Sequence, residues 1–595
     1  MSTSSLRRVL AAPARAESAA LTASGVLSVL RVGLELARPW PLALAVDHAL
    51  DGRPLPAGLA GVPPVDVLFA AGLATVAVSA VAGWLDMAST RGAERAAERV
   101  GAQLRREVFA HSMGLSLRWH SRVRSGELVS RITSDVGRLL DALVAAAVGL
   151  VPDLVAVVGV LVVLLQVAPG LGAVGLVVVP VLAVLSVRQR RLVRSSQVHA
   201  RAVSGALTST VTDLVRNVAA VQAFGRHDLA RADFETRNRA LEAAGVRAVD
   251  VETGWTPRSD VLLAVGSGLV LVVGGLQVRA GLQSTGTLLV VLAYVRELYR
   301  PVRGLTRLSA VLAKASASAD RVAEVLDSEE RVPEPAVPTS LRAAPGTISL
   351  RDVSFGYDPG RPVLAHVDLE VAAGETVCLL GPSGVGKSTV LQLVLRLYDV
   401  DAGAVLVDGV DVRDHRVQDL RDAIAYVPQD PWLLDGTLAQ NVAFGSRRGT
   451  RAEVLQACRD ALVDEFAHQL PGGHDAVLGE GGNRLSGGQR RRVALARAAM
   501  SPARLLLLDE PTASLDARAA AGVVAAIRAT ARHRTTVIVT HDPVLADLAD
   551  RTVHLVAGPH GARTATTHLR TGGGEHHEGL PPGHQGAAEQ ALAQP

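Results

Sequence analysis

Gly381-Pro-Ser-Gly-Val-Gly-Lys-Ser-Thr389 stands directly after the apolar run Thr376–Leu380 and directly before Val390–Leu397, a run with helical spacing. These nine residues fit G-x-x-x-x-G-K-[ST] in the strand–loop–helix setting that gives the pattern its meaning. Glycine lets backbone N–H groups turn inward around phosphate oxygens, and the start of the following helix adds partial positive charge. Gly381, Pro382, Ser383, Gly384, Val385, Gly386, Lys387, Ser388 and Thr389 therefore form a candidate phosphate cradle. In it Lys387 is expected to reach the β- and γ-phosphates of a nucleotide, and the Ser388 hydroxyl to ligate Mg²⁺. Only two of the 61 basic residues are lysines, Lys314 and Lys387, in a chain that otherwise uses arginine.

Two further stretches belong with this loop. Leu505-Leu-Leu-Leu-Asp-Glu510 reads as a buried strand ending in two carboxylates. In open α/β folds such an end lies at the carboxyl edge of the sheet, where ligands bind. Asp509 is expected to hold Mg²⁺ and Glu510 to polarise an attacking water. The pentapeptide Leu485-Ser486-Gly487-Gly488-Gln489 opens a basic helix, Arg490–Ala499, and offers a second anion cradle from a hydroxyl and bare backbone. One nucleotide does not need two cradles from one domain. The second is expected to serve the nucleotide of another copy.

Outward from this half the composition changes. The chain is 49% hydrophobic and 20% charged, and its apolar residues concentrate before residue 310. That excludes a disordered chain and fits a membrane part followed by a soluble part. Apolar runs near 66–88, 142–165, 171–188, 258–278 and 285–300 suit the ~20 residues that a bilayer requires. A sixth, near 26–48, is interrupted by Arg31, Glu35 and Arg38 and is accepted on topology. The windows 91–138 and 188–201 together carry ten net positive charges, more than the chain's overall +4. Both follow apolar runs, which is the distribution of cytosolic loops and not of a nucleic-acid surface. Residues 89–118 and 189–245 are expected to continue the membrane helices into the cytosol. Asp153 falls inside the third run, where an acid is usually functional or paired.

The resulting organisation is a cytosolic segment 1–24, a helical transmembrane domain 25–326, a Pro-rich linker 327–346, an α/β domain 347–560 and a tail 561–595. The tail is rich in Gly, His, Pro and Gln, and is expected to be disordered; its His568, His576, His577 and His584 are read as solvated and not as a metal site. Cys378 and Cys458 lie 80 residues apart, form neither a disulfide framework nor a metal-ligand spacing, and fit a reducing compartment.

Over about residues 20–560 the chain resembles the ATP-binding cassette (ABC) transporters, in the exporter form of a half-transporter. The pentapeptide 485–489 is the most specific element of the likeness. The resemblance implies a six-span helical domain fused to a P-loop ATPase domain, with a mostly parallel sheet, a β-subdomain and a helical subdomain. It implies that Tyr357 stacks on adenine, that Gln429 senses Mg²⁺ and the attacking water, and that Asp516 communicates across a dimer. It also implies that His541 contacts the γ-phosphate, leaving Glu510, His541 and Gln429 as the catalytic set and Ser388, Gln429 and Asp509 as the metal set. Leu117–Glu127 is similar to the first intracellular coupling segment, Val221–Arg226 to the helix ahead of the second, and Glu480 to a coupling residue. The implied partners are a second half-transporter subunit, identical or not, the lipid bilayer, and a small-molecule, lipid or peptide substrate, with no nucleic acid. ATP and Mg²⁺ are the implied ligands. The implied setting is a plasma membrane, such as a bacterial inner membrane, with the N-terminus and the ATPase domain cytoplasmic. An importer on the same fold is the alternative.

Overall fold

The computed structural model describes residues 3–53, 62–341, 346–558 and 561–569. It divides into two compact units, one of Met1–Met113 with Arg124–Ser328, the other of Gly114–Val123 with Glu329–Pro595.

The described residues of the first unit form helices joined by short turns. Thr3–Ala16 and Ser18–Ala37 lead into helices of unusual length, Pro64–Met113 with 50 residues and Pro169–Arg216 with 48. At 1.5 Å per residue each is about 70–75 Å long, more than twice the ~30 Å hydrocarbon core of a bilayer. Ala, Leu, Arg and Glu sustain the polar ends, because these residues lose little side-chain freedom in a helix. The expected extension over 189–245 is not one continuous helix. It breaks at Asn217 and again at Phe224–Arg226, where Gly225 takes φ +61°, and His227–Thr253 follows. Val221–Arg226 is therefore a helix end and a turn.

Three helices among the described residues are long and apolar enough to cross a membrane, Ser18–Ala49, Pro64–Met113 and Ser125–Val167, against the six expected. They contain the runs at 26–48, 66–88 and 142–165. The first of these, the least clean in sequence, is tolerated because Arg31 pairs with Glu35 one turn on, at 2.6 Å. Most side chains of 171–188 lie outside the described residues, although the backbone there is helical. Of 258–278, the apolar part that qualifies is Ala264–Arg279, too short by the same measure. The run at 285–300 is split into Thr285–Glu297 and Tyr299–Leu326.

A buried ionic knot ties two of the long elements. Asp135, 2% exposed at its side chain, accepts from Ser318 Oγ at 2.9 Å, Arg321 Nε at 2.8 Å and Arg138 Nη1 at 2.9 Å. Arg131, one turn earlier and also buried, pairs with Glu127 at 2.7 Å and Glu324 at 3.0 Å. The pairs interlock Arg131–Asp135 with the Tyr299–Leu326 helix.

The second unit is built on a ten-stranded sheet. Its strands are β1 (Ile348–Phe355), β2 (Leu364–Val371), β3 (Thr376–Leu380), β4 (Ala402–Val407), β5 (Val410–Asp411), β6 (Ile424–Val427), β7 (Leu505–Asp509), β8 (Thr535–Thr540), β9 (Arg551–Gly558) and β10 (Gly561–Leu569), in the order β5-β4-β1-β2-β10-β9-β3-β8-β7-β6. β9, β3, β8, β7 and β6 run parallel; β5, β4, β1 and β2 form an antiparallel extension. Alternation explains why the parallel strands are apolar without a break. Leu505 and Leu507 enter one core with Leu379, Val537 and Val539, while Leu506 and Leu508 enter the other with Val427 and Ile538. Both faces are covered. The expected disordered tail does not begin at 561, since Gly561–Leu569 is β10, paired antiparallel with β9. The rest of the tail, including His576, His577 and His584, lies outside the described residues.

Two further segments group with this sheet domain, the linker and the stretch Gly114–Val123, which contains the short helix Leu117–Arg122. Arg396, 2% exposed, donates to the carbonyl of Pro333 at 2.7 Å, and Glu334 accepts the Val417 N–H at 3.2 Å. Gly114–Val123 departs from the expected 25–326 domain and groups with the second unit, where the Ser116 N–H donates to Glu330 O at 2.7 Å and Arg122 pairs with Glu330.

Asp135→Asn removes the negative charge on which Arg321 and Arg138 converge. We expect a loss of about 2–3 kcal/mol, below the 3–5 of a fully buried pair because Arg321 keeps part of its hydration. Thermal unfolding in detergent should register it as a midpoint several degrees lower, with Ser318→Ala costing about 1 kcal/mol.

Candidate functional site

Register places the functional groups before any side chain is considered. Leu380 on β3 pairs with Thr540 on β8, and Val539 on β8 pairs with Asp509 on β7. The residues that follow these strands, Gly381, His541 and Glu510, therefore leave the sheet side by side at its carboxyl edge.

The loop after β3 has the conformation that its glycines permit. Gly384 and Gly386 have φ +80° and +104°, and Gly386 immediately precedes the helix Lys387–Val394. A Cβ on Gly386 would lie 2.8 Å from Leu364 Cδ2, and one on Gly381 would lie 2.6 Å from the Leu555 carbonyl oxygen. Neither position has room for a side chain. Lys387, 4% exposed, donates to the carbonyls of Gly381 at 2.8 Å and Pro382 at 2.9 Å, so its ammonium spans the mouth of the loop.

Ser388 Oγ donates to Asp509 Oδ1 at 2.8 Å, and Tyr426 OH approaches Asp509 Oδ2 at 3.4 Å. Burial pushes the Asp509 carboxyl above the usual carboxylate range, a rise that the Ser388 hydrogen bond opposes. A hydroxyl and a carboxylate in direct contact, the acid desolvated and short of cations, are a suitable donor pair for a hard divalent ion. Glu510 lies next to them. Its Oε2 accepts from Gln429 Nε2 at 3.0 Å, while Oε1 lies 3.5 Å from His541 Nδ1 and 3.8 Å from Lys387 Nζ. Glu510 has φ +43°, which costs a non-glycine residue about 1–2 kcal/mol, and its N–H donates to Val539 O at 2.8 Å.

Other expected residues lie around this centre. Tyr357 OH bonds to Thr389 Oγ1 at 3.0 Å and Gln392 Oε1 at 2.8 Å, and its ring stands edge-on to Phe355 and Tyr398. Asp516 caps the helix Ala517–Thr530 by accepting the Ala519 N–H at 2.8 Å. Ser486 caps Gly487–Met500 reciprocally with Gln489, and a Cβ on Gly488 would meet Ala519 Cβ at 3.0 Å. Among the described residues no hydrogen bond or ion pair joins Leu485, Ser486, Gly487, Gly488 or Gln489 to the loop 381–389. Glu480 opens the short turn Glu480–Gly482, and among the described residues no hydrogen bond or ion pair of its side chain is seen. Tyr426 was not singled out from the sequence. Its signal was its place on β6, the strand hydrogen-bonded to β7 and three residues ahead of Gln429.

Comparison with known proteins bears on the whole chain. Residues 21–302 match the ABC transporter transmembrane region, and residues 364–513 match the ABC transporter family. A fatty acid ABC transporter ATP-binding/permease protein of Mycobacterium tuberculosis is 32% identical over 492 residues, 81% of this chain and 77% of that protein. The chain belongs to the ABC transporter family. An ATP-dependent lipid A-core flippase of Syntrophus aciditrophicus is 32% identical over 461 residues, covering 78% and 76% of the two chains. A multidrug efflux ATP-binding/permease protein of Mycobacterium bovis is 34% identical over 539 residues, 91% of this chain; the chain spans 44% of the length of that relative. The structure of a bacterial Atm1-family ABC exporter with ATP bound superimposes with a TM-score of 0.76 at 27% identity, over 91% of this chain and 95% of that one. This ABC protein is thus a multi-pass membrane protein of exporter-type fold, with a helical transmembrane domain fused to a mostly parallel P-loop ATPase domain.

Gly386→Ala puts a methyl group against Leu364 and Val363 in a backbone conformation that alanine resists. We expect fluorescent ATP-analogue binding to weaken at least tenfold while circular dichroism stays unchanged.

Proposed function

We propose that the chain is an ATP-driven exporter-type half-transporter with six membrane spans that works as a dimer, with an identical or a related subunit. The observation that carries this reading is the setting of Glu510, a carboxylate bonded to Gln429, within 4 Å of Lys387 and His541, and beside the Ser388–Asp509 pair.

Roles follow from that arrangement. Lys387 exchanges the carbonyls of Gly381 and Pro382 for the β- and γ-phosphates of ATP, whose chain is cradled by the N–H groups from Gly381 to Thr389. Tyr357 receives the adenine on its ring. Ser388, Asp509 and Gln429 would hold Mg²⁺, which when bound neutralises phosphate charge. Glu510 orients water and accepts its proton, and His541 donates toward the γ-phosphate. Catalysis of this kind rests on positioning and charge more than on covalent steps.

The second anion cradle, Leu485, Ser486, Gly487, Gly488 and Gln489, serves the ATP of the partner subunit, and Asp516 lies on the seam between the subunits. ATP drives the cycle by binding the closed dimer more tightly than the open one. Apolar helices and relatives named for fatty acid, lipid A-core and multidrug transport support an apolar or amphipathic cargo. All these relatives are bacterial, which supports a bacterial inner membrane, with the ATPase domain (347–560) in the cytoplasm. Nucleic acid is not a partner in this reading, because the net positive windows flank the apolar runs.

Glu510→Gln keeps the hydrogen-bonding shape and removes the base. It should bind ATP within threefold of wild type and lose about 10²–10⁴ in turnover, the range for a general base. Phosphate release from protein in nanodiscs measures this, and near-normal turnover would remove Glu510 from the role assigned to it.

A further inference from the structure

The helical part of the ATPase domain contains a cluster that the ATP site does not use. Cys458 lies on the helix Arg451–Asp460, Asp464 begins the turn Asp464–Ala467, and His474 sits in the turn Gly473–Asp475. The spacing of the two cysteines gives no hint of it, since the ligand-type residues come from three different elements. In the fold the Cys458 sulfur, an Asp464 carboxylate oxygen and a His474 ring nitrogen all lie within 4.8 Å of one another. Gly472 and Gly473, at φ +96° and +58°, form the tight turn that brings His474 back onto the helix.

We infer that Cys458, Asp464 and His474 form a binding site for a divalent ion of the zinc type. Thiolate, imidazole and carboxylate together suit a borderline-soft tetrahedral ion; an ion of the Mg²⁺ or Ca²⁺ type would require oxygen donors. The site is set inside the domain and still reachable. Cys458 is fully buried, while the His474 and Asp464 side chains are 16% and 31% exposed. His474 Nε2 bonds to Asp464 Oδ1 at 2.7 Å, so one ligand already orients another. The fourth position falls to water or to His468, whose ring centroid lies 6.2 Å from that of His474. Ligation forms a metal–sulfur bond and releases the thiol proton to solvent. Because ligation displaces that proton, binding strengthens with pH. A bound ion would clamp three elements immediately ahead of Gly479–Gln489, the stretch that presents the second anion cradle. The clamp does not depend on the transport reading.

Cobalt(II) titration of the full-length protein in detergent tests the site, because a thiolate-to-cobalt charge-transfer band in the near ultraviolet requires a cysteine ligand. The histidines of residues 570–595 cannot produce that band. We expect the band to saturate near one Co²⁺ per chain, to disappear when Zn²⁺ is added, to persist in Cys378→Ala and to be absent in Cys458→Ser. His474→Gln, which keeps an N–H for Asp464 but gives up the imidazole, should weaken binding at least tenfold. It also serves if Cys458→Ser does not fold. The absence of a band in the wild type, a band surviving in folded Cys458→Ser, or unchanged affinity in His474→Gln would each overturn the site and leave an ordinary Asp–His hydrogen bond above a buried thiol.

Discussion

The ATPase chemistry hangs on three parallel strands buried on both faces. β3, β7 and β8 contribute Val377, Leu379, Leu505 to Leu508, Val537, Ile538 and Val539, all at or below 1% exposure. Burying each such side chain contributes about 1.5–3 kcal/mol, and close packing leaves them little freedom to shift. A one-residue slip of β7 against β8 would reverse the faces of its leucines and carry Asp509 and Glu510 away from the loop after β3. The hydrophobic pattern thus sets the position of the polar site. The lysine, the two carboxylates and the histidine meet because the strands that carry them cannot slide.

At that edge the protein accepts local costs. Glu510 sits in a left-handed conformation, and Asp509 is a buried carboxylate whose nearest partner is a neutral hydroxyl. Both are the kind of cost that surrounding structure must over-determine. For Glu510 the backbone bond to Val539 and the Gln429 amide provide that constraint. The direction in which its side chain points follows from the turn: φ +43° directs the chain away from the sheet one residue after β7 and leaves the carboxylate facing Lys387.

Much of this was legible before any coordinates. Thr376–Leu380 coincides with β3, and the stretch Leu505–Glu510 runs one residue past β7, because short apolar runs bounded by turn residues have few other uses. The loop 381–389 was equally plain, its meaning lying in the spacing of Gly, Lys and Ser. Other features were hidden for physical reasons. Gly-Ala-Arg-Thr-Ala-Thr-Thr-His-Leu569 has almost no large apolar residues, and it is β10 through backbone pairing with β9 and, at Ala562, with β2. The helix break at Asn217 has no proline to announce it. Arg31 and Glu35 interrupt a membrane run in the sequence, and only the fold pairs them with each other.

Two fastened segments limit how motion can pass through this domain. A Pro-rich stretch such as 331–338 reads as a spacer. Here a buried arginine from the sheet domain grips its backbone at Pro333, and Glu334 caps Val417. A segment fastened at several points cannot act as a slack tether; displacement of its neighbour must either move it as one piece or break hydrogen bonds worth about 1 kcal/mol each. The same holds for Gly114–Val123, bonded at Ser116 and Arg122 to Glu330. Glu330 therefore takes two bonds from residues 114–123, at its backbone carbonyl and its carboxylate, and stands three residues ahead of the gripped Pro333.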